Sequence, residues 1–120
     1  MKLLDTNTLN KEFEYPKEFS KILELGFSIK KPWEITEGEQ LLSRYNGMKS
    51  RYPNRKLIPF AHRKDSDDVA CWDLKNPLGV VIIHDYASPG FEQVDEFPSF
   101  WHWFRQMIED VIEFAKEDME

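Results

Sequence analysis

Apolar residues change their spacing three times along this 120-residue chain, and each spacing predicts a different element. Phe19, Ile22 and Leu23 stand at helical intervals between Pro16, suited to a first turn, and Gly26, suited to a stop. That pattern predicts a short amphipathic helix over 16–25. Residues 27–35 contain Pro32 and read as extended or irregular. A second helix is expected from Glu37 to Tyr45, burying Leu41 and Leu42, with Asn46-Gly47 as its left-handed stop. The basic stretch 48–55, which holds Pro53, then reads as a loop.

From Lys56 the pattern turns to strands. Residues 56–61 are short and apolar, and Pro59 demotes them to an edge position or a bulge. Residues 69–73 and 80–84 are apolar on both faces, as in strands covered on two sides. Asn76-Pro77-Leu78-Gly79 is expected to turn between them, making a hairpin, and 85–96 reads as a loop. The last element is the clearest. Ser99 is a natural cap, and Phe100, Trp103, Phe104, Met107, Ile108, Val111 and Ala115 recur every three or four residues. His102, Gln106, Glu109, Glu113 and Lys116 occupy the other side of this amphipathic helix of about five turns. The order of elements predicts an α+β fold: a small antiparallel or mixed sheet packed with an N-terminal helical pair and a long C-terminal amphipathic helix. No internal repeat or linker divides it, so 1–120 reads as one domain.

Composition narrows the classes. With 41% apolar residues the chain lacks the signature of disorder, and its single cysteine excludes an internal disulfide. The longest uncharged apolar run, Leu78 to Ile83, is far short of the roughly 20 residues a spanning helix needs. Asp5 interrupts any signal-peptide core, so a cytoplasmic location is expected. The net charge of −6 is unevenly spread. Residues 44–64 carry 7 basic side chains and no acidic ones, whereas 65–120 carry 3 basic and 14 acidic. A basic stretch containing Tyr45 and Tyr52 could cradle a nucleic-acid strand. Neutralisation inside an acidic domain is the favoured reading, because a nucleic-acid binder is normally basic overall.

Reactive residue types form no constellation. Cys71 lies mid-strand between Ala70 and Trp72, where a free cysteine is ordinarily inert core. His62, His84 and His102 share no helical ligand spacing. His84 and Asp85 are adjacent at a strand end, so they face opposite ways and do not orient one another. The run Asp65-Ser66-Asp67-Asp68 starts like a calcium loop, but Ala70 and Asn76 stand at the positions that need Gly and Glu. Neither a phosphate-cradling glycine loop nor a nucleophile elbow is present. Trp101 falls on the flank of the last helix and is the one aromatic to test for a partner contact, with core or boundary packing as the favoured reading. No catalytic residue, metal or cofactor is expected.

Several motifs in order carry a resemblance: Tyr45-Asn46-Gly47, then Leu57-Ile58-Pro59-Phe60-Ala61, then Asp68-Val69-Ala70-Cys71-Trp72-Asp73. A Gly79-led apolar strand to His84 and a closing helix with Ser99, Phe100 and Phe104 complete the series. In this order the chain resembles the SUKH superfamily, which includes bacterial toxin-immunity proteins and fungal regulators of cell-wall assembly. The resemblance is clearest over 41–115. It implies a non-enzymatic, cytoplasmic α+β domain that binds and neutralises a cognate toxin, typically a nuclease or another nucleic-acid-targeting enzyme. The alternative it implies is a regulatory or scaffold domain. A basic toxin would be drawn to the acidic surface. Asp65, Asp67 and Asp68, with Glu109, Glu113 and Trp101, are therefore the candidate partner-binding residues; neither direct nucleic-acid contact nor a membrane is expected.

Overall fold

The computed structural model describes residues 9, 10 and 12–120; Asp5 lies outside them. Among the described residues, three helices, α1 (Lys17–Glu24), α2 (Gly38–Arg51) and α3 (Phe100–Met119), accompany five strands. The strands are β1 (Trp33–Ile35), β2 (Leu57–Arg63), β3 (Asp68–Asp73), β4 (Asn76–His84) and β5 (Gln93–Phe97). They pair in sequence order, antiparallel throughout, so the α+β expectation holds and the sheet is antiparallel rather than mixed. Among the described residues no helix is long and apolar enough to cross a membrane.

Side chains alternate across a strand, and here each face of the sheet gains its own core. Phe60, Ala70, Trp72, Val80 and Ile82 join Phe19 of α1 and Phe100, Trp103 and Met107 of α3. Val69, Cys71 and Ile83 fall on the opposite face and join Leu57, Met48 of α2 and the following Tyr52. Leu41 and Tyr45, nearer the start of α2, reach the larger cluster. Strands β3 and β4 are thus covered on both sides, as their two-faced apolar character predicts.

Four local expectations are corrected. Helix α2 does not stop at Asn46-Gly47 but runs to Arg51. The repeat Leu41, Tyr45, Met48, Tyr52 continues its buried stripe. Burying Met48 is worth about 1.5–3 kcal/mol, more than the roughly 1 kcal/mol that an internal glycine costs. Gly47 also leaves room for a neighbour, because a Cβ there would lie 2.9 Å from the Arg51 guanidinium.

The β3–β4 turn sits at Leu74-Lys75, not at 76–79, since the Asp73 carboxylate accepts the Lys75 N–H at 3.0 Å and closes the chain early. Residues 76–79 are strand, and Gly79 is needed there because a Cβ would come within 2.8 Å of the Phe97 carbonyl. The expected loop 85–96 ends at Glu92, where β5 begins along the sheet edge. Ala115 is exposed, because the buried face of α3 ends near Val111. Pro59 sits beside a register shift in β2, matching the bulge expectation, and Ser99 caps α3 by accepting the His102 N–H at 3.2 Å.

Candidate protein-docking surface

The basic block folds back onto the domain's own carboxylates. Arg44 and Arg51 converge on Asp85 at 3.2 and 2.8 Å, and Arg55 lies between Asp73 and Glu92 at 3.1 and 2.9 Å. Lys56 faces Glu12, Arg63 pairs with Asp65 at 2.8 Å, and Lys64 pairs with Glu34. Lys49 stands 5.9 Å from the centre of the Tyr45 ring. Six of the seven cations at 44–64 therefore hold internal ion pairs, as the neutralisation reading anticipates.

That pairing also reshapes the acidic candidates. Arg63 binds Asp65 through two nitrogens at 2.8 and 3.0 Å and reaches Asp110 of α3 at 3.4 Å. Trp33 Nε1 donates to the same Asp110 carboxylate at 3.0 Å. The β2–β3 turn thus meets the part of α3 that bears Glu109 and Glu113, both exposed. The guanidinium beside it holds the Asp65 carboxyl below its usual range. Asp68 hydrogen-bonds the His84 ring at 2.9 Å, whereas the exposed Asp67 side chain makes no hydrogen bond or ion pair among the described residues and acts on His84 only through its charge. Of the three turn aspartates, Asp67 offers the least engaged charge.

Trp101 belongs to a different place. Strand β3 separates the two ends of the sheet by roughly 17–20 Å at the usual rise per residue. Trp101 stands at the end where β4 starts, away from Asp65–Asp68. There it helps line a groove of about 670 Å³ with Tyr15, Trp72, Leu78 and Phe100. Leu78 is 80% exposed and Trp101 40%, so two large apolar side chains face outward. Among the described residues, Glu12, Glu14 and Glu18 border the groove with Lys17, and Glu12 also faces Lys56. An apolar floor with an acidic rim suits a basic protein segment that inserts an apolar anchor. Sequence reasoning found Trp101 but missed Leu78 and the three glutamates, which only the fold brings to it.

The residues weighed for catalysis have structural partners. Cys71 is fully buried, and burial pushes its thiol far above the ordinary value. His102 shares the α3 cap with Ser99. His84 and Asp85 point to different partners, Asp68 for the first and the two arginines for the second. His62 is buried against Thr36 Oγ1 at 2.7 Å; burial, then the Arg44 charge, lowers its pKa. The Asp68 hydrogen bond raises that of His84.

A proton NMR titration is expected to show His62 protonating below about 6.5 and His84 above it. The depressed His62 value makes its contribution to stability present above the unfolded pKa and lost as pH falls. The raised His84 value gives a contribution that is fully present below the unfolded pKa and lost as pH rises through the folded one. Identical titration of the two rings would contradict both assignments.

Compared with protein-family models, with curated proteins and with solved structures, the chain finds no match.

Proposed function

We propose that this chain is a non-enzymatic, cytoplasmic immunity protein. It binds a cognate bacterial toxin domain, a nuclease or another nucleic-acid-targeting enzyme, and blocks its working surface. The observation that carries the binding part is the acid-rimmed groove around Trp101 and Leu78. Enzymes that act on nucleic acid present cationic surfaces to phosphates, and such a surface is attracted to a glutamate rim. The ordered motifs by which the chain resembles the SUKH superfamily support the immunity role. Internal pairing of the basic block is consistent with it, because the excess left over is acidic.

In this reading Trp101 is the apolar anchor and Glu14 and Glu18 steer the approach. Trp101→Ala is expected to weaken toxin binding about 30-fold, the loss typical of a buried aromatic hot spot. The fold should survive, since the side chain is partly exposed. Reversing Glu14 and Glu18 to Lys is expected to slow association and flatten its dependence on salt.

Co-expression provides the cellular test. Cells that produce the toxin domain this proposal expects a neighbouring gene to encode should grow when this protein is present and stop when it carries Trp101→Ala. Equal killing with and without the wild-type protein would overturn the proposal.

A further inference from the structure

The loop between β4 and β5, residues 85–92, is held at both ends by carboxylates that accept arginine. Asp85 has a fully buried side chain and receives two hydrogen bonds from Arg51, one from Arg44 and one from the Tyr86 N–H. At the other end Glu92 accepts from Arg55 and from the Gly90 N–H. Tyr52 Oη donates to the Ala87 carbonyl between them. A loop fixed in this way loses little conformational entropy when something binds it. Its two aromatic residues nevertheless face outward, Tyr86 at 69% and Phe91 at 79% exposure. Tyr86 sits in the left-handed region at φ 68°, where a bulky side chain is rare, and its ring lies 4.3 Å from the Arg51 guanidinium. Strain of this kind persists where surroundings enforce it, and it collects at binding sites.

Beside Tyr86 lies a pocket of about 310 Å³, lined also by Gln40, Ser43, Arg44, Arg51 and Asp85. Its charge does not balance. Two guanidinium groups face one carboxylate, and the four hydrogen bonds already made to Asp85 leave it little further capacity. Arg44 Nε is buried with no hydrogen-bond partner among the described residues, while the Arg44 and Arg51 side chains keep 22% and 30% of their surface open. The remaining lining side chains, Gln40 and Ser43, are neutral and polar. The pocket therefore holds one unmatched positive charge on an acidic chain.

We propose that this pocket receives the carboxylate of an Asp or Glu side chain presented by a partner protein. Arg44 and Arg51 would bind its oxygens, and Tyr86 would pack over its aliphatic stem. Exposed aromatics beside arginines are the composition of protein hot spots, which favours a protein-borne carboxylate over a free ion. Together with the groove at the other end, the pocket demands a partner that is basic in one place and acidic in another, and that requirement selects among partners. Only the source of the carboxylate rests on the protein-binding reading above.

The test needs no toxin. Blocked glutamate (N-acetyl-glutamate methylamide) is titrated into the protein at pH 7, and the Arg44 and Arg51 Nε–H resonances are followed by NMR. A saturable shift is expected with the glutamate probe and none with its glutamine counterpart. Affinity should fall about tenfold in Arg44→Gln, which removes one charged donor while Arg51 still holds Asp85. Tyr86→Gly, which relieves the backbone strain, should keep the native spectrum elsewhere and also weaken the probe. Absence of a saturable shift, an equal response to the glutamine probe, or undiminished binding in Arg44→Gln would overturn the proposal. Tighter saturation by inorganic phosphate would likewise replace the carboxylate with a phosphate ligand. Failure here leaves toxin binding at the Trp101 groove intact, so the two readings stand or fall separately.

Discussion

Replacing Trp72 with alanine is expected to destabilise the fold by about 4 kcal/mol, the largest effect of any single substitution considered. The indole is 1% exposed and lies at the centre of the aromatic core. It stacks on Phe60 at 4.1 Å between ring centres and meets Phe19 edge-on at 5.1 Å. Phe13 and Tyr15 close the remaining sides at 5.5 and 6.1 Å. Four rings from β2, α1 and the segment before it thus surround this one side chain, and truncation leaves a cavity they cannot jointly fill. A drop of roughly 15 °C in melting temperature should accompany it for a domain of this size. Trp72→Phe provides the contrast. Its ring keeps most of the packing, and it deletes an indole N–H that is buried with no partner among the described residues. That variant is expected to stay within about 1 kcal/mol of the parent, because the lost volume is offset by relief of an unsatisfied donor. A loss from Trp72→Phe as large as that from Trp72→Ala would contradict this view of the core.

Asp85→Ala is the second large effect, at about 3 kcal/mol by chemical denaturation. Removing one member of a buried ion pair leaves the others without compensation, and here two arginines lose the same carboxylate. The partial exposure of both arginines lets them turn toward water, which holds the cost at the lower end of the usual range. Asp85 also joins three parts of the fold. Its side chain links α2 to the β4–β5 loop, and its N–H donates to the Asp67 carbonyl in the β2–β3 turn at 2.9 Å. Asp85→Asn, which retains the shape and one acceptor, should cost less than Asp85→Ala. If Asp85→Ala were neutral, the arginine pocket would not be a built feature of the structure.

The strong elements were legible because their periodicity records burial. The stripe from Phe100 to Val111 matches the covered face of α3, and the two-faced runs at 69–73 and 80–84 match strands buried on both sides. Strand β5 was invisible for the same reason in reverse. Gln93 to Glu96 are all exposed on a sheet edge, so no alternation marks them. Asn46-Gly47 misled because a glycine carries the same signal whether it ends a helix or makes room inside one. Only the position of Arg51 over Gly47 separates the two cases.

The candidate site was legible residue by residue but not as a set. Trp101 stood out by its position on a helix flank, while its neighbours Leu78 and Glu14 lie far away in sequence. The acidic turn was visible as a run, yet Arg63 and His84, which engage two of its three aspartates, were read from sequence only as part of a basic block and as a strand-end histidine. The Asp85 clamp had the weakest signal of all. A lone aspartate after a strand reads as loop, and its role depends on two arginines at least 34 residues earlier. Charge composition foretold that the basic block would be paired internally, but not which acids would pair with it.

Titration of the purified toxin domain that the proposal expects a neighbouring gene to encode, with its action on nucleic acid read at each addition of this protein, tests the central claim most directly. The account predicts activity falling in proportion to added protein and reaching its floor at one equivalent, with the curve displaced to much higher concentration for Trp101→Ala. Activity that persists unchanged in several-fold excess of the wild-type protein would contradict it.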